Sequence, residues 1–363
     1  MSIATLFALF IGRKISLTER LTIQESLNEF SLSGMVRTFK TIIFATFVIE
    51  GIGAIILSTR LIPIYGIGNG IFKSIFHSIS AFCNAGFDIF GSTDHPYASL
   101  TSFYNDPIVV LTLSLLIILG GLGFIVWKDI TILKEFSAYR LHTKVVLIAT
   151  AILLISGTAL FLLFEHNNPG TFQAMSWPDK ILNAFFQSVT SRSAGYNTFH
   201  IADMTDLSKF LTVILMFIGA ASGSTGGGVK VTTISVIIFA IIATIKGSDD
   251  VNILRRRVPR HIVMKAFALS MLGLVSVSLT TGIIMFNQRI NFLDSLFEAV
   301  SAFGTVGLST GLTPDLGIIS QLIIIALMFI GRVGLLTAAI ALGVRHTNHK
   351  EPYRYPEGKI TVG

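Results

Sequence analysis

Hydrophobic residues fall into runs of two lengths along the chain. The runs near 40–59, 107–127, 145–164, 210–245, 263–286 and 318–343, read as helices, are long enough to cross a hydrocarbon core of about 30 Å. Shorter apolar segments at 70–82, 180–190 and 292–303 lie between them and cannot cross. The short segments read as amphipathic helices that end in similar text: SISAFCNAGF, SVTSRSAGYNTF and AVSAFGTVGLSTG. Their glycines, Gly86, Gly195 and Gly307, are 109 and 112 residues apart, so a unit of span, short helix, glycine loop and span recurs. The likeness continues into the next span. Gly120 and Gly123 in ILGGLGF match Gly331 and Gly334 in FIGRVGL, and Gly219 in FIGAASGS takes the first of these positions. The pattern predicts an all-α integral membrane protein of repeated helix–pore loop–helix units, arranged pseudo-symmetrically around a central pore.

Composition agrees with this reading. Hydrophobic residues make up 52% of the 363 and charged residues 13%, and the mean hydropathy is +0.74, which places the chain in a lipid bilayer as a multi-pass protein. The formal charge of +7 does not point to nucleic acid, because the Lys and Arg form short clusters between apolar runs. With Cys83 the sole cysteine, an intrachain disulfide and a cysteine-rich zinc site are excluded.

Charge also predicts sidedness. If the glycine loops share one side, that side holds Arg60, Lys73, Lys180, Arg192, Lys209 and Arg289, six of the 27 Lys and Arg, so it should face outward. Asp88, Asp94, Asp106, Asp203, Asp206 and Asp315 fall there too and would attract cations to a pore mouth. The basic run Arg255–Arg260, RRRVPR, reads as a cytoplasmic flank that could also meet acidic lipid or a cytosolic partner.

Backbone that leaves a helix at membrane depth is tolerated only inside protein or along a cavity. Three such breaks at repeat spacing predict one shared cavity. There, glycine lets successive carbonyls face a narrow axis and replace the water shell of a monovalent cation, and the short helices aim their negative C-terminal ends at the same place. A second glycine-rich stretch, GAASGSTGGGVK, interrupts the run 210–245 with Gly219, Gly223, Gly226, Gly227 and Gly228 and closes on Lys230. It lacks the spacing of a phosphate-binding loop. Either it enters the cavity below the middle glycine loop as a gate, or it simply joins two helices. Arg332 is a second cation deep in apolar sequence and needs water or a partner there. The candidates are carbonyls of the glycine-rich stretch and Glu50, itself mid-span. Catalysis is not expected: His77, His142, His166, His200 and His261 are scattered, and His346 and His349 sit in a polar tail.

These motifs, NAGF, SRSAGYNT, GSTGGGVKVTT, FGTVGLSTGLTP and FIGRVG, with the closing RYPEGKITVG, resemble the Trk/Ktr/HKT superfamily of cation transporters, most closely its KtrB-type membrane subunits, over essentially the whole chain. The resemblance implies potassium uptake across the cell membrane, with sodium as a candidate coupling ion, through a pore ringed by four repeats. It implies a homodimer docked on a cytosolic nucleotide-binding regulatory ring of the KtrA type, with the nucleotide bound by that partner. Gly86, Gly195 and Gly307 would be filter glycines, with carbonyls from Asn84, Ala85, Ser193, Ala194, Thr305 and Val306 lining the K+ path. Residues 219–230 would be the intramembrane gate and Arg332 its partner. One departure is that only three pore loops are present. IATLFALFIGRKISLTERL looks like the inner end of a preceding repeat, so a further repeat upstream is expected. The chain then divides into a remnant and linker (1–39), pore repeats at 40–140, 141–260 and 261–345, and a cytoplasmic tail (346–363). A secondary transporter with a midplane site at broken helices is the rival from another class, and a non-conducting fragment is a third reading.

Overall fold

The computed structural model describes residues 35–91, 97–133 and 135–333, with side chains from residue 41. Asp94, Gly334, His346, His349 and the sequence flanking the described region lie outside it.

The long apolar runs form helices α1 (Met35–Tyr65), α5 (Leu141–Glu165) and α9 (Arg260–Gln288). The 25 residues of α5 span about 37 Å at 1.5 Å per residue, enough to cross a bilayer. Each is followed by a short helix: α2 (Ile67–Phe82), α6 (Trp177–Thr190) and α10 (Phe292–Phe303), with 16, 14 and 12 residues. The chain then passes a glycine loop and returns through α3 (Pro107–Leu122), α7 (Asp206–Phe217) and α11 (Ile318–Val333). The same succession therefore occurs three times in space as well as in sequence.

Local chemistry sets the ends. Asp106 caps α3, accepting from the N–H groups of Ile108 (3.0 Å) and Val109 (3.3 Å) ahead of Pro107, and the same carboxylate takes Arg60 Nε of α1 at 2.7 Å. Buried Glu165 closes α5 by accepting from Asn168 Nδ2 (2.7 Å), Thr171 Oγ1 (2.5 Å) and the N–H of Thr205 (2.9 Å), the residue that caps α7. Small residues let long and short helices approach. Gly53 of α1 lies against Ser78 of α2, and Gly157 of α5 against Ser188 of α6.

The apolar run 107–127 is not one straight helix. It bends by 93° at Gly123 into α4 (Phe124–Leu133). Gly123 has φ 87°, which suits glycine, and an ideal Cβ there would sit 2.9 Å from the Ser222 carbonyl oxygen. The backbone groups released by the bend are recovered: Phe124 N–H donates to Gly223 O at 3.2 Å, and Trp127 Nε1 donates back to Leu119 O at 3.0 Å. Buried Asp129 then ties α4 to α5 by accepting from Thr143 Oγ1 at 2.6 Å.

The run 210–245 breaks between α7 and α8 (Val231–Ile245), and residues 218–230 form an irregular segment there. Beyond α8, the basic run folds into a small hairpin, β1 (Asn252–Ile253) paired antiparallel with β2 (Arg256–Arg257). Leu254 and Arg255 are both left-handed at its turn, the backbone of a two-residue hairpin.

Where the returning helices meet the short helices there is no room for a side chain. A Cβ on Gly120 would strike the Phe82 carbonyl oxygen, and one on Gly331 the Phe303 carbonyl oxygen. Gly120→Ala and Gly331→Ala should each cost about 1–3 kcal/mol through overpacking, whereas Gly51→Ala, with nothing within 4 Å, should be neutral or slightly stabilising. Thermal unfolding of the detergent-solubilised chain checks this, and equal behaviour of the three variants would contradict it.

Candidate functional site

Each short helix ends by turning its chain into the left-handed region at equivalent places. Asn84, Ser193 and Thr305 have φ 50°, 67° and 47°, and two residues later Gly86, Gly195 and Gly307 have φ 72°, 90° and 94°. Ala85, Ala194 and Val306, between them, have negative φ. Alternation of this kind turns successive peptide planes so that N–H groups gather on one side and carbonyls on the other.

The N–H side is closed by the helix behind it. Ala85 N–H donates to Ser80 O (2.9 Å), Val306 N–H to Ser301 O (2.9 Å) and Ala194 N–H to Thr190 O (3.1 Å). The middle loop reaches four residues back where the others reach five, so it is one residue tighter. On the other side, the carbonyls of residues 84–86, 193–195 and 305–307 accept no hydrogen bond from any described residue. Backbone carbonyls at this depth need a partner. A partly dehydrated cation can supply one.

The three loops meet. An ideal Cβ on Gly86 would strike the Ala194 carbonyl oxygen and one on Gly195 the Val306 carbonyl oxygen, and a Cβ on Gly307 would lie 3.6 Å from Gly195 Cα. Gly86 is therefore turned toward the middle loop and Gly195 toward the third, while Gly307 lies back against Gly195, so the three loops converge in order on one place. Three hydroxyls that the sequence reading missed hold the far end of each loop. Ser80 Oγ donates to Phe87 O (2.8 Å), Thr190 Oγ1 to Tyr196 O (2.6 Å) and Ser301 Oγ to Leu308 O (2.6 Å), in each case the carbonyl just after the glycine. The sequence does carry their signal, a hydroxyl residue five or six positions before each glycine.

The glycine-rich segment lies against the helix side of all three loops. Thr225 Oγ1 donates toward Phe82 O (3.3 Å) at the end of α2, a Cβ on Gly226 would fall 3.1 Å from Ser193 Cβ, and Gly227 lies against Thr305 and Gly304. Gly219 is held by its N–H to Val229 O at 2.9 Å, and it faces Gly227 closely enough to exclude a Cβ. Gly223 and Gly228 are left-handed, with φ 74° and 73°. Lys230 Nζ donates to Gly226 O, curling the segment back on itself. Arg332 Nη1 donates to Thr225 O. Of the two partners the sequence left open, the carbonyl is the one Arg332 reaches; the Glu50 carboxylate lies instead 3.9 Å from Cys83 Sγ. Arg192, counted by sequence among the outer charges, is buried at the end of α6, beside the middle loop and within reach of that helix's negative end.

Comparison with known proteins gives the family. Residues 1–350 match the TrkH family, described as cation transport protein. The chain is 39% identical to Ktr system potassium uptake protein B of Bacillus subtilis over 363 residues, all of this chain and 80% of that protein. It is 40% identical to potassium/sodium uptake protein NtpJ of Enterococcus hirae over 367 residues, again all of this chain and 80% of the relative. Its fold is similar to the crystal structure of the potassium transporter TrkH from Vibrio parahaemolyticus, with a TM-score of 0.70 and 17% identity over 89% of this chain and 68% of that one. The chain belongs to the TrkH family of cation transport proteins.

Proposed function

We propose that the chain takes up potassium across the cell membrane, and that the carbonyls of residues 84–86, 193–195 and 305–307 form the K+ filter. The observation that carries this reading is the set of carbonyls without hydrogen-bond donors among the described residues at the junction of three short-helix C-termini. Carbonyl oxygens replace part of an ion's hydration shell, and the helix ends, each equivalent to roughly half a negative charge, lower the energy of a cation there. Because the N–H groups of Ala85, Ala194 and Val306 are held by the helix behind them and each exit carbonyl by a hydroxyl, the loops are pinned at both ends of the lining carbonyls.

The segment 219–230 is the gate in this reading. It lies below all three loops, it is bridged to α11 by Arg332, and both Arg332 and Lys230 place positive charge where a cation would emerge. Moving it would open the path and withdraw that barrier. The charge asymmetry of the sequence supports loops that face outward. The word "system" in the name of the Bacillus relative supports a further component, which we take to be a cytosolic nucleotide-binding ring docked on a homodimer. The name of the Enterococcus relative supports sodium as a second ion.

Two predictions follow from the local geometry. Gly86→Ser and Gly195→Ser place a Cβ against a neighbouring carbonyl and add the cost of a left-handed side chain, about 1–2 kcal/mol. Rubidium uptake in a potassium-uptake-deficient bacterium should therefore fall at least about tenfold for both. Gly307→Ser has room for its side chain but not the backbone preference, so it should keep uptake and lose preference for potassium over sodium. Equal effects at the three positions would contradict the arrangement. Arg332→Ala should raise rubidium flux several-fold when no cytosolic partner is present, and a fall in flux at normal protein level would rule out the barrier.

A further inference from the structure

Above the hydroxyl braces, each short helix carries one buried polar side chain at an equivalent place, and the three differ in chemistry. They are His77, nine residues before Gly86; Gln187, eight before Gly195 in the tighter middle loop; and Glu298, nine before Gly307. His77 lies five residues back from the end of α2, a rise of about 7.5 Å. Three extended residues after a glycine climb about 10 Å the other way. The side chain and the returning strand are thus brought level.

His77 Nε2 accepts the N–H of Ile89, three residues past Gly86, at 3.3 Å, while Nδ1 donates to Lys73 O at 2.7 Å. Lys73 Nζ donates to the carbonyl of the same Ile89 and lies 4.5 Å from the Tyr65 ring centroid. The imidazole is stacked on Phe90 with centroids 4.0 Å apart. In the third loop, Glu298 Oε1 accepts the N–H of Thr310, again three residues past the glycine, at 3.0 Å. It also accepts Ser309 Oγ at 2.6 Å, and Oε2 accepts Thr313 Oγ1 at 2.7 Å. The same backbone N–H is therefore held in both loops, by imidazole in one and by carboxylate in the other. In the middle loop, Gln187 Oε1 and Thr198 Oγ1, the latter on the residue three past Gly195, are buried without a partner among the described residues.

We propose that His77 and Glu298 are positioning residues that fix the outer exit of the glycine loops and so set ion preference, with Glu298 the stronger. The proposal rests on the filter reading given above. A carboxylate that accepts several hydrogen bonds in a buried place holds its loop more tightly than a neutral imidazole with one. Losing it lets the third loop relax outward. The carbonyls of Thr305, Val306 and Gly307 then lose the spacing that separates a larger from a smaller monovalent ion.

The test is uptake by the full chain in a potassium-uptake-deficient bacterium, with rubidium KM, Vmax, inhibition by sodium and membrane protein level measured together. Glu298→Ala should raise the rubidium KM and strengthen sodium inhibition by about tenfold, a change equivalent to about 1.4 kcal/mol, within the range of a hydrogen bond to a charged group. Glu298→Gln should do so less, because its amide oxygen still accepts, and His77→Ala should act in the same direction. Should the Ala variants fail to accumulate, Ser309→Ala with Thr313→Val removes two of the hydroxyl bonds from the loop side, leaves the Thr310 N–H bond, and should shift KM and sodium inhibition in the same direction by less. A fall in Vmax or protein level with KM and sodium inhibition unchanged, in a selective wild-type background, would overturn the brace alone. A wild-type chain without rubidium uptake would overturn the filter reading and the brace with it.

Discussion

A polypeptide that leaves the helix at bilayer depth carries N–H and C=O groups that water cannot satisfy, and each such group costs several kcal/mol if left alone. The three glycine loops meet this constraint one-sidedly. The N–H groups of Ala85, Ala194 and Val306 bond to the last turns of α2, α6 and α10, and the carbonyls just past the glycines are taken by Ser80, Thr190 and Ser301. Among the described residues, the carbonyls of 84–86, 193–195 and 305–307, where the loops converge, are left without hydrogen-bond donors. A partly dehydrated cation is one partner that can complete such a set, and on the proposed filter reading the same backbone serves both stability and transport.

The rest of the architecture keeps that centre narrow. Gly120 and Gly331 let the returning helices press onto Phe82 and Phe303, the residues at the ends of α2 and α10. In the middle unit, Gly219 faces Gly227 of the glycine-rich segment instead, and the chain there leaves the helix to run beneath the loops. One of three equivalent positions has thus exchanged helix packing for an irregular segment. The bend at Gly123 serves the same segment from the side, since Phe124 N–H and the Gly223 carbonyl are bonded across it.

Much of this was legible in the sequence. The spacing of Gly86, Gly195 and Gly307, the three short apolar segments and the interruption at 219–230 all correspond to elements of the fold, because glycine and hydropathy act locally. The 93° bend was not legible: ILGGLGFIVW stays apolar on both sides of Gly123, and the groups that stabilise the bend come from residue 223, a hundred positions away. Nor could spacing choose between the two partners offered for Arg332, because Thr225 and Glu50 both lie far from it in sequence. The burial of Arg192 was hidden for a related reason. A basic residue near a glycine loop reads as a flank, and only tertiary packing buries it there. The roles of His77 and Glu298 depend on a returning strand whose height is fixed by the tertiary turn.

The most direct test of the central claim is a crystal structure of the chain grown in rubidium, with anomalous scattering used to locate the ion. The peak should fall between the carbonyl oxygens of Ala85, Ala194 and Val306, within ordinary cation–oxygen distance of all three. A peak held elsewhere by side-chain carboxylates, with these carbonyls facing away, would contradict a backbone filter.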